Sequence, residues 1–172
     1  MPRLTIEFAK LMTVEEYNIS VDDYADNLYR FILKNLKIED KARDIVQDTF
    51  EKLWIKKDTV SYQKVKSYLF TTGYHTMIDY LRKEKRMTDF DQANYHEHAH
   101  TEQYSDVKEV LEEAIGKMNE VQRTVVLLRD YEGYSYQEIA DITNLSEAQV
   151  KVYIYRGRVF LKNYIGSLEK VI

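Results

Sequence analysis

The chain of 172 residues is 44% hydrophobic and carries a formal net charge of −4, enough apolar content to bury a core in one larger domain or two small ones. The acidic balance argues against a protein that coats nucleic acid indiscriminately, because phosphate binding then requires basic charge concentrated locally. With no cysteine, no apolar run long enough to cross a bilayer and no charged, apolar, small-residue leader, disulfides, membrane insertion and secretion lack support, and a cytoplasmic protein is expected.

Pro2 is the only proline and there are five glycines, so long helices with short connections are expected and the fold class is all-α. Residues 1–18 show no sustained period. From Val21 to Leu36 the stripe Leu28, Phe31, Ile32, Leu36 predicts a helix beginning near Asp22 and Asp23, which suit a helix N-terminus. Ile38 to Trp54 places Ala42, Ile45, Val46, Thr49, Phe50 and Leu53 on one side and Asp44, Gln47, Asp48 and Glu51 on the other. That acidic seam reads equally as a solvated face or as a protein-docking surface.

Lys64 to Arg86 sorts by chemistry. Phe70, Tyr74, Met77 and Leu81 make a core side, while Tyr68, Thr72, His75, Asp79, Arg82 and Arg86 fall in a narrow opposite stripe at about 100° per residue. Aromatic, hydroxyl, imidazole and arginine groups in a row can stack unpaired bases and hold phosphates. In a chain with fifteen tyrosines the same row also reads as a solvated face.

From Thr88 to Glu109 six acids (Asp89, Asp91, Glu97, Glu102, Asp106, Glu109) face one base, Lys108, the composition of a polar linker. Alternate histidines at His96, His98 and His100 could converge on zinc, but without cysteines or an ordered framework a solvated linker is the better reading, and no metal or cofactor is assigned. Beyond it, Asn119 can cap a helix over Glu120 to Asp130, and Leu111, Ile115, Val125, Leu128, Ile139, Val150, Ile154 and Leu161 supply a second core.

The segment YSYQEIADITNLSEAQVKVYIYRGRVFLK, from Tyr134 to Lys162, contains two helix starts. Ser135 precedes Glu138 by three residues and Ser146 precedes Gln149 by three, each a capping box, and Asn144 between them tolerates left-handed backbone. This is a helix-turn-helix layout. On its second helix Val150, Ile154, Gly157 and Leu161 form the buried face, leaving Gln149, Lys151, Tyr155, Arg156, Arg158 and Lys162 beside or opposite it. Such a helix fits a duplex major groove, with the cations drawing phosphates. The plainer alternative is an amphipathic helix pair with solvated basic residues.

Taken together, ARDIVQDTFEKLW, SYLFTTGYHTMIDYLRKEKR and GYSYQEIADITNLSEAQVKVYIYRGR resemble, in order and spacing, bacterial RNA polymerase sigma factors of the extracytoplasmic-function type. The resemblance implies two small helical domains: residues 1–87 dock on core polymerase and melt and read the minus-ten element, an acidic linker spans 88–106, and residues 107–172 read the minus-thirty-five element. Core RNA polymerase, through its β′ clamp and β subunits, and promoter DNA are the implied partners, with an anti-sigma factor as a further one. Asp44, Gln47 and Asp48 fall on the family's motif positions, so the acidic seam they form with Glu51 becomes the polymerase-docking surface. Tyr68, Thr72, His75, Asp79, Arg82 and Arg86 become the single-strand readers. Gln149, Lys151, Tyr155, Arg156, Arg158 and Lys162 become the duplex readers.

The chain departs from the family pattern where Tyr68, Gly73 and His75 replace the usual Trp, Ala and Asn, and where Val152 and Tyr153 follow Lys151. Both readers are altered at once, which implies either an unusual promoter or help in targeting from another DNA-bound partner. No glycine-rich phosphate loop, HExxH or nucleophile elbow is present, so no catalytic residue is assigned. The alternatives are a stand-alone, dimeric helix-turn-helix transcriptional regulator and a helical adaptor that binds only protein. Limited proteolysis is expected to cut first between Thr88 and Ser105; resistance there, with nicking of the C-terminal helices instead, would place the domain boundary elsewhere.

Overall fold

The computed structural model describes residues 11–90 and 107–169. Among these, regular structure is helical, apart from one antiparallel bridge between Leu11 and Ser61, and no helix is long and apolar enough to cross a membrane. The histidine cluster and most of the acidic stretch lie outside the described residues.

The first helix, α1 (Val14–Leu36), starts seven residues before Val21, the start expected from its apolar stripe. Thr13 and Glu16 form a reciprocal capping box: Glu16 N–H donates to Thr13 Oγ1 at 3.1 Å and Thr13 N–H to Glu16 Oε2 at 2.9 Å. The helix stops where Lys37 turns left-handed at φ 59° and donates its amide to Leu33 O. α2 (Glu39–Ile55) and α3 (Val65–Phe90) pack on it, burying Leu28, Phe31, Ile32, Ile45, Leu53 and Phe70. α3 continues to Phe90, three residues into the stretch read as linker. Gly73 lets α3 approach α1 closely, because a Cβ there would stand 2.9 Å from Leu28 Cδ1. The departure from Ala at this position is thus matched by a leucine that fills the space.

The second half comprises α4 (Val107–Lys117), α5 (Glu120–Val126), a π-wound turn (Leu127–Tyr131), α6 (Tyr136–Thr143) and α7 (Glu147–Glu169). Asn119 caps α5 as expected, its Oδ1 accepting from Val121 N–H at 3.1 Å. The expected helix over Glu120 to Asp130 does not run through as one α-helix. Its last turn widens, so that Glu132 N–H donates to Leu127 O and Tyr134 N–H to Leu128 O, and Gly133 at φ 73° takes the chain out of it. Of the eight core residues read from the sequence, six are buried, and Leu111 and Leu161 are half-buried.

The widened turn delivers Tyr134 into the first half, where it is 3% exposed and meets Phe70 edge-on with centroids 5.3 Å apart. Burial pushes its phenol well above the usual range, with Glu132 and Glu138 adding to the effect, so the group stays neutral. Nearby, Asn35 donates to Phe31 O at 2.8 Å and accepts from Thr124 Oγ1 at 3.1 Å, a buried bond between residues 89 apart in sequence. Lys66 lies 4.6 Å above the Tyr134 ring, and Lys34 lies 4.8 Å above that of Tyr131. The two halves therefore share one contiguous buried cluster.

Truncating Tyr134 should open a cavity at this seam. Tyr134→Ala is expected to cost about 3–5 kcal/mol in denaturant unfolding. Tyr134→Phe should cost under about 1 kcal/mol, because its hydroxyl reaches Lys66 O only at 3.5 Å. Equal losses in the two variants would place the seam's stability in the hydroxyl and not in the ring.

Candidate functional site

Three surfaces carry the candidate residues. On α2, spacing of three and four residues aligns Asp44, Gln47, Asp48 and Glu51 along the side away from Ile45 and Leu53. Asp44, Gln47 and Glu51 are exposed, and Asp48 is half-exposed. Asp48 is not a free carboxylate: Lys52 pairs with it at 2.8 Å and also donates to Thr76 Oγ1 at 3.2 Å, tying the seam to α3.

The α3 stripe runs about 27 Å from Tyr68 to Arg86. His75, Asp79, Arg82 and Arg86 are exposed, while Tyr68 and Thr72 are half-buried against α2. His75 stands edge-on to Tyr74 at 5.3 Å. Tyr68 and Thr72 close a shallow concavity of about 290 Å³ with Lys52, Ile55 and Lys56. Sequence reading missed these three residues because they belong to another helix. A usable signal was present in Trp54-Ile55: adjacent apolar residues at a helix end cannot both face the core, and here they are 43% and 71% exposed. An apolar floor rimmed by lysines and bordered by a tyrosine can hold an unpaired base by stacking, with its phosphate on the rim.

The third surface is the helix-turn-helix. Both capping boxes form: Glu138 N–H donates to Ser135 Oγ at 3.2 Å and Gln149 N–H to Ser146 Oγ at 3.1 Å, each answered by the returning side chain. The Ser135 amide holds the Glu138 carboxyl below its usual range. Asn144 takes the left-handed conformation at φ 59° and ends α6. Gly157 brings α7 down onto α5, where a Cβ would meet Val126 Cγ2 at 2.7 Å.

All six candidate duplex readers on α7 are exposed, but three have partners within the fold. Gln149 Oε1 is occupied by the Ser146 amide. Lys151 pairs with Glu147 at 3.1 Å and lies over the Tyr136 ring. Arg158 grips Asp130 with two bonds, Nε to Oδ2 at 3.1 Å and Nη2 to Oδ1, which raise its pKa further and pin α7 to the widened turn. Tyr155, Arg156 and Lys162 stand on the outer half of the helix.

The Sigma-70 region 2 family model matches residues 21–87, and the Sigma-70, region 4 model matches residues 108–161. The chain is 30% identical over 160 residues to the ECF RNA polymerase sigma factor SigM of Bacillus subtilis (strain 168), covering 88% of this chain and 94% of that protein. It is also 30% identical over 140 residues to the RNA polymerase sigma factor SigV of the same organism, covering 80% and 83%. Among solved structures it is similar to the sigma factor RpoE in complex with the anti-sigma factor NepR from Bartonella quintana, with a TM-score of 0.77 and 25% identity over 89% of this chain and 98% of that one. With both sigma-70 regions in order and near-complete coverage of such relatives, the chain belongs to the extracytoplasmic-function sigma factors of bacterial RNA polymerase.

Proposed function

We propose that the protein is a promoter-specificity subunit: it binds core RNA polymerase, carries it to particular promoters and takes no chemical part in RNA synthesis. The observation that carries this reading is the similarity to SigM over 88% of this chain and 94% of that protein, joined to three chemically distinct exposed faces on α2, α3 and α7. In this reading residues 1–87 and 107–172 are the working units and 88–106 the connector. Asp44, Gln47, Asp48 and Glu51 meet the β′ clamp. The stripe from Tyr68 to Arg86 holds the melted minus-ten strand, its concavity taking a base between Tyr68 and Lys56. The exposed side of α7 enters the duplex at the minus-thirty-five element. The place of action is the cytoplasm, and an anti-sigma factor is the natural antagonist, as in the complex of RpoE with NepR. A stand-alone regulator is disfavoured by the matches to both regions.

Geometry adds a requirement. Elements named for positions ten and thirty-five lie about 25 base pairs apart, about 85 Å along B-form DNA at 3.4 Å per step. A packed chain of this length is about 40 Å across. The seam around Tyr134 must therefore part before both elements are read at once.

Reversing Asp44 and Asp48 to Lys tests the docking face. Asp44 is exposed and Asp48 half-exposed, and replacing the Asp48–Lys52 surface pair by two like charges costs only a few tenths of a kcal/mol for the lost pair and about as much for the repulsion. Affinity for core polymerase should fall at least about tenfold through lost and reversed charge pairing, with circular dichroism and melting nearly unchanged. Wild-type affinity in the double variant would remove the assignment of this face.

A further inference from the structure

The buried line of α7 runs through Val150, Ile154 and Gly157. At about 100° per residue, the positions diametrically opposite are Ala148, Val152, Tyr155 and Val159. The outermost ridge of this helix is therefore apolar: Val152 is 45% exposed, Tyr155 70% and Val159 38%. Charge lies on the flanks, where Lys151, Arg156, Arg158 and Lys162 face a single carboxylate, Glu147. The two flanking cations nearest the fold are drawn off the ridge, Lys151 by Glu147 and Arg158 by Asp130.

An apolar crest between basic flanks has the chemistry of a major groove reversed, with its base-edge floor between two phosphate walls. Alanine and valine side chains neither donate nor accept hydrogen bonds. The base-edge group that such side chains recognise is the 5-methyl of thymine. From Ala148 to Tyr155 the ridge covers about 10 Å, or about three base-pair steps.

We infer that Val152, flanked by Ala148 and Tyr155, makes α7 a reader of thymine methyl groups, so that the duplex element this protein selects includes thymine positions recognised through their methyls. The inference rests on the assignment of the helix-turn-helix as the duplex reader and names what that reader recognises. It also accounts for the valine after Lys151, where the family pattern has small, polar or basic residues.

The test uses the full chain assembled with core polymerase. Selection from random duplexes gives the preferred sequence, and each thymine of its upstream element is then replaced singly by deoxyuridine, which lacks only the methyl. Binding is expected to weaken about fourfold at one or two positions, the effect of one buried methyl group. Val152→Ser, a change at an exposed position that replaces the methyl groups by a hydroxyl and leaves the circular dichroism unaltered, should bind thymine and uracil equally at one of those positions. Uracil tolerated at every position of a duplex that is still selected would overturn the inference while leaving promoter recognition intact. So would methyl sensitivity that persists unchanged in Val152→Ser. Failure to select any sequence would overturn promoter reading itself, and the methyl readout with it.

Discussion

The insertion of Tyr134 between Phe70 and Lys66 governs how the two helical halves meet. It depends on a local departure from α-helical winding: without the widened turn over Leu127–Tyr131 and the left-handed Gly133, residue 134 would continue along α5 and miss the first half. The same turn presents Asp130 to Arg158, so one backbone feature sets both the domain seam and the seat of α7. The buried Asn35–Thr124 bond adds specificity to the seam, because parting it in a dry environment leaves two polar groups unpaired. If the seam parts as the proposed function requires, entering water can satisfy both groups.

The working faces follow from what the cores leave outside. Each of α2, α3 and α7 buries one side and turns a different chemistry outward: carboxylates, an aromatic and cationic row, and an aliphatic ridge between cations. Acids outnumber bases by four over the whole chain, so in the proposed reading sequence-independent attraction for DNA is confined to the local basic surfaces of α3 and α7.

Much of this was legible in the sequence because it is local. The boxes at Ser135 and Ser146 and the left-handed Asn144 follow from residue types three or four positions apart, and the buried lines of α2, α3 and α7 follow from period alone. The box at Thr13 and Glu16 has the same signature, yet it lies seven residues ahead of the start that the apolar stripe indicates, because residues 1–18 show no sustained period. What was not legible joins distant segments. The docking that the π winding permits joins Tyr134 to Phe70 across 64 residues, the concavity needs α2 and α3 side by side, and the loss of Arg158 to Asp130 spans 28 residues. Periodicity predicts that a side chain is outside, and it says nothing about which partner reaches it there.

Reconstituted transcription tests the central claim most directly. Purified core polymerase is supplied with the full chain on a linear template carrying the selected duplex, and run-off products are measured. Transcripts from one defined start site that require both the chain and the selected sequence are the predicted result. Tight DNA binding by the chain alone, with core polymerase initiating identically whether or not the chain is present, would contradict it.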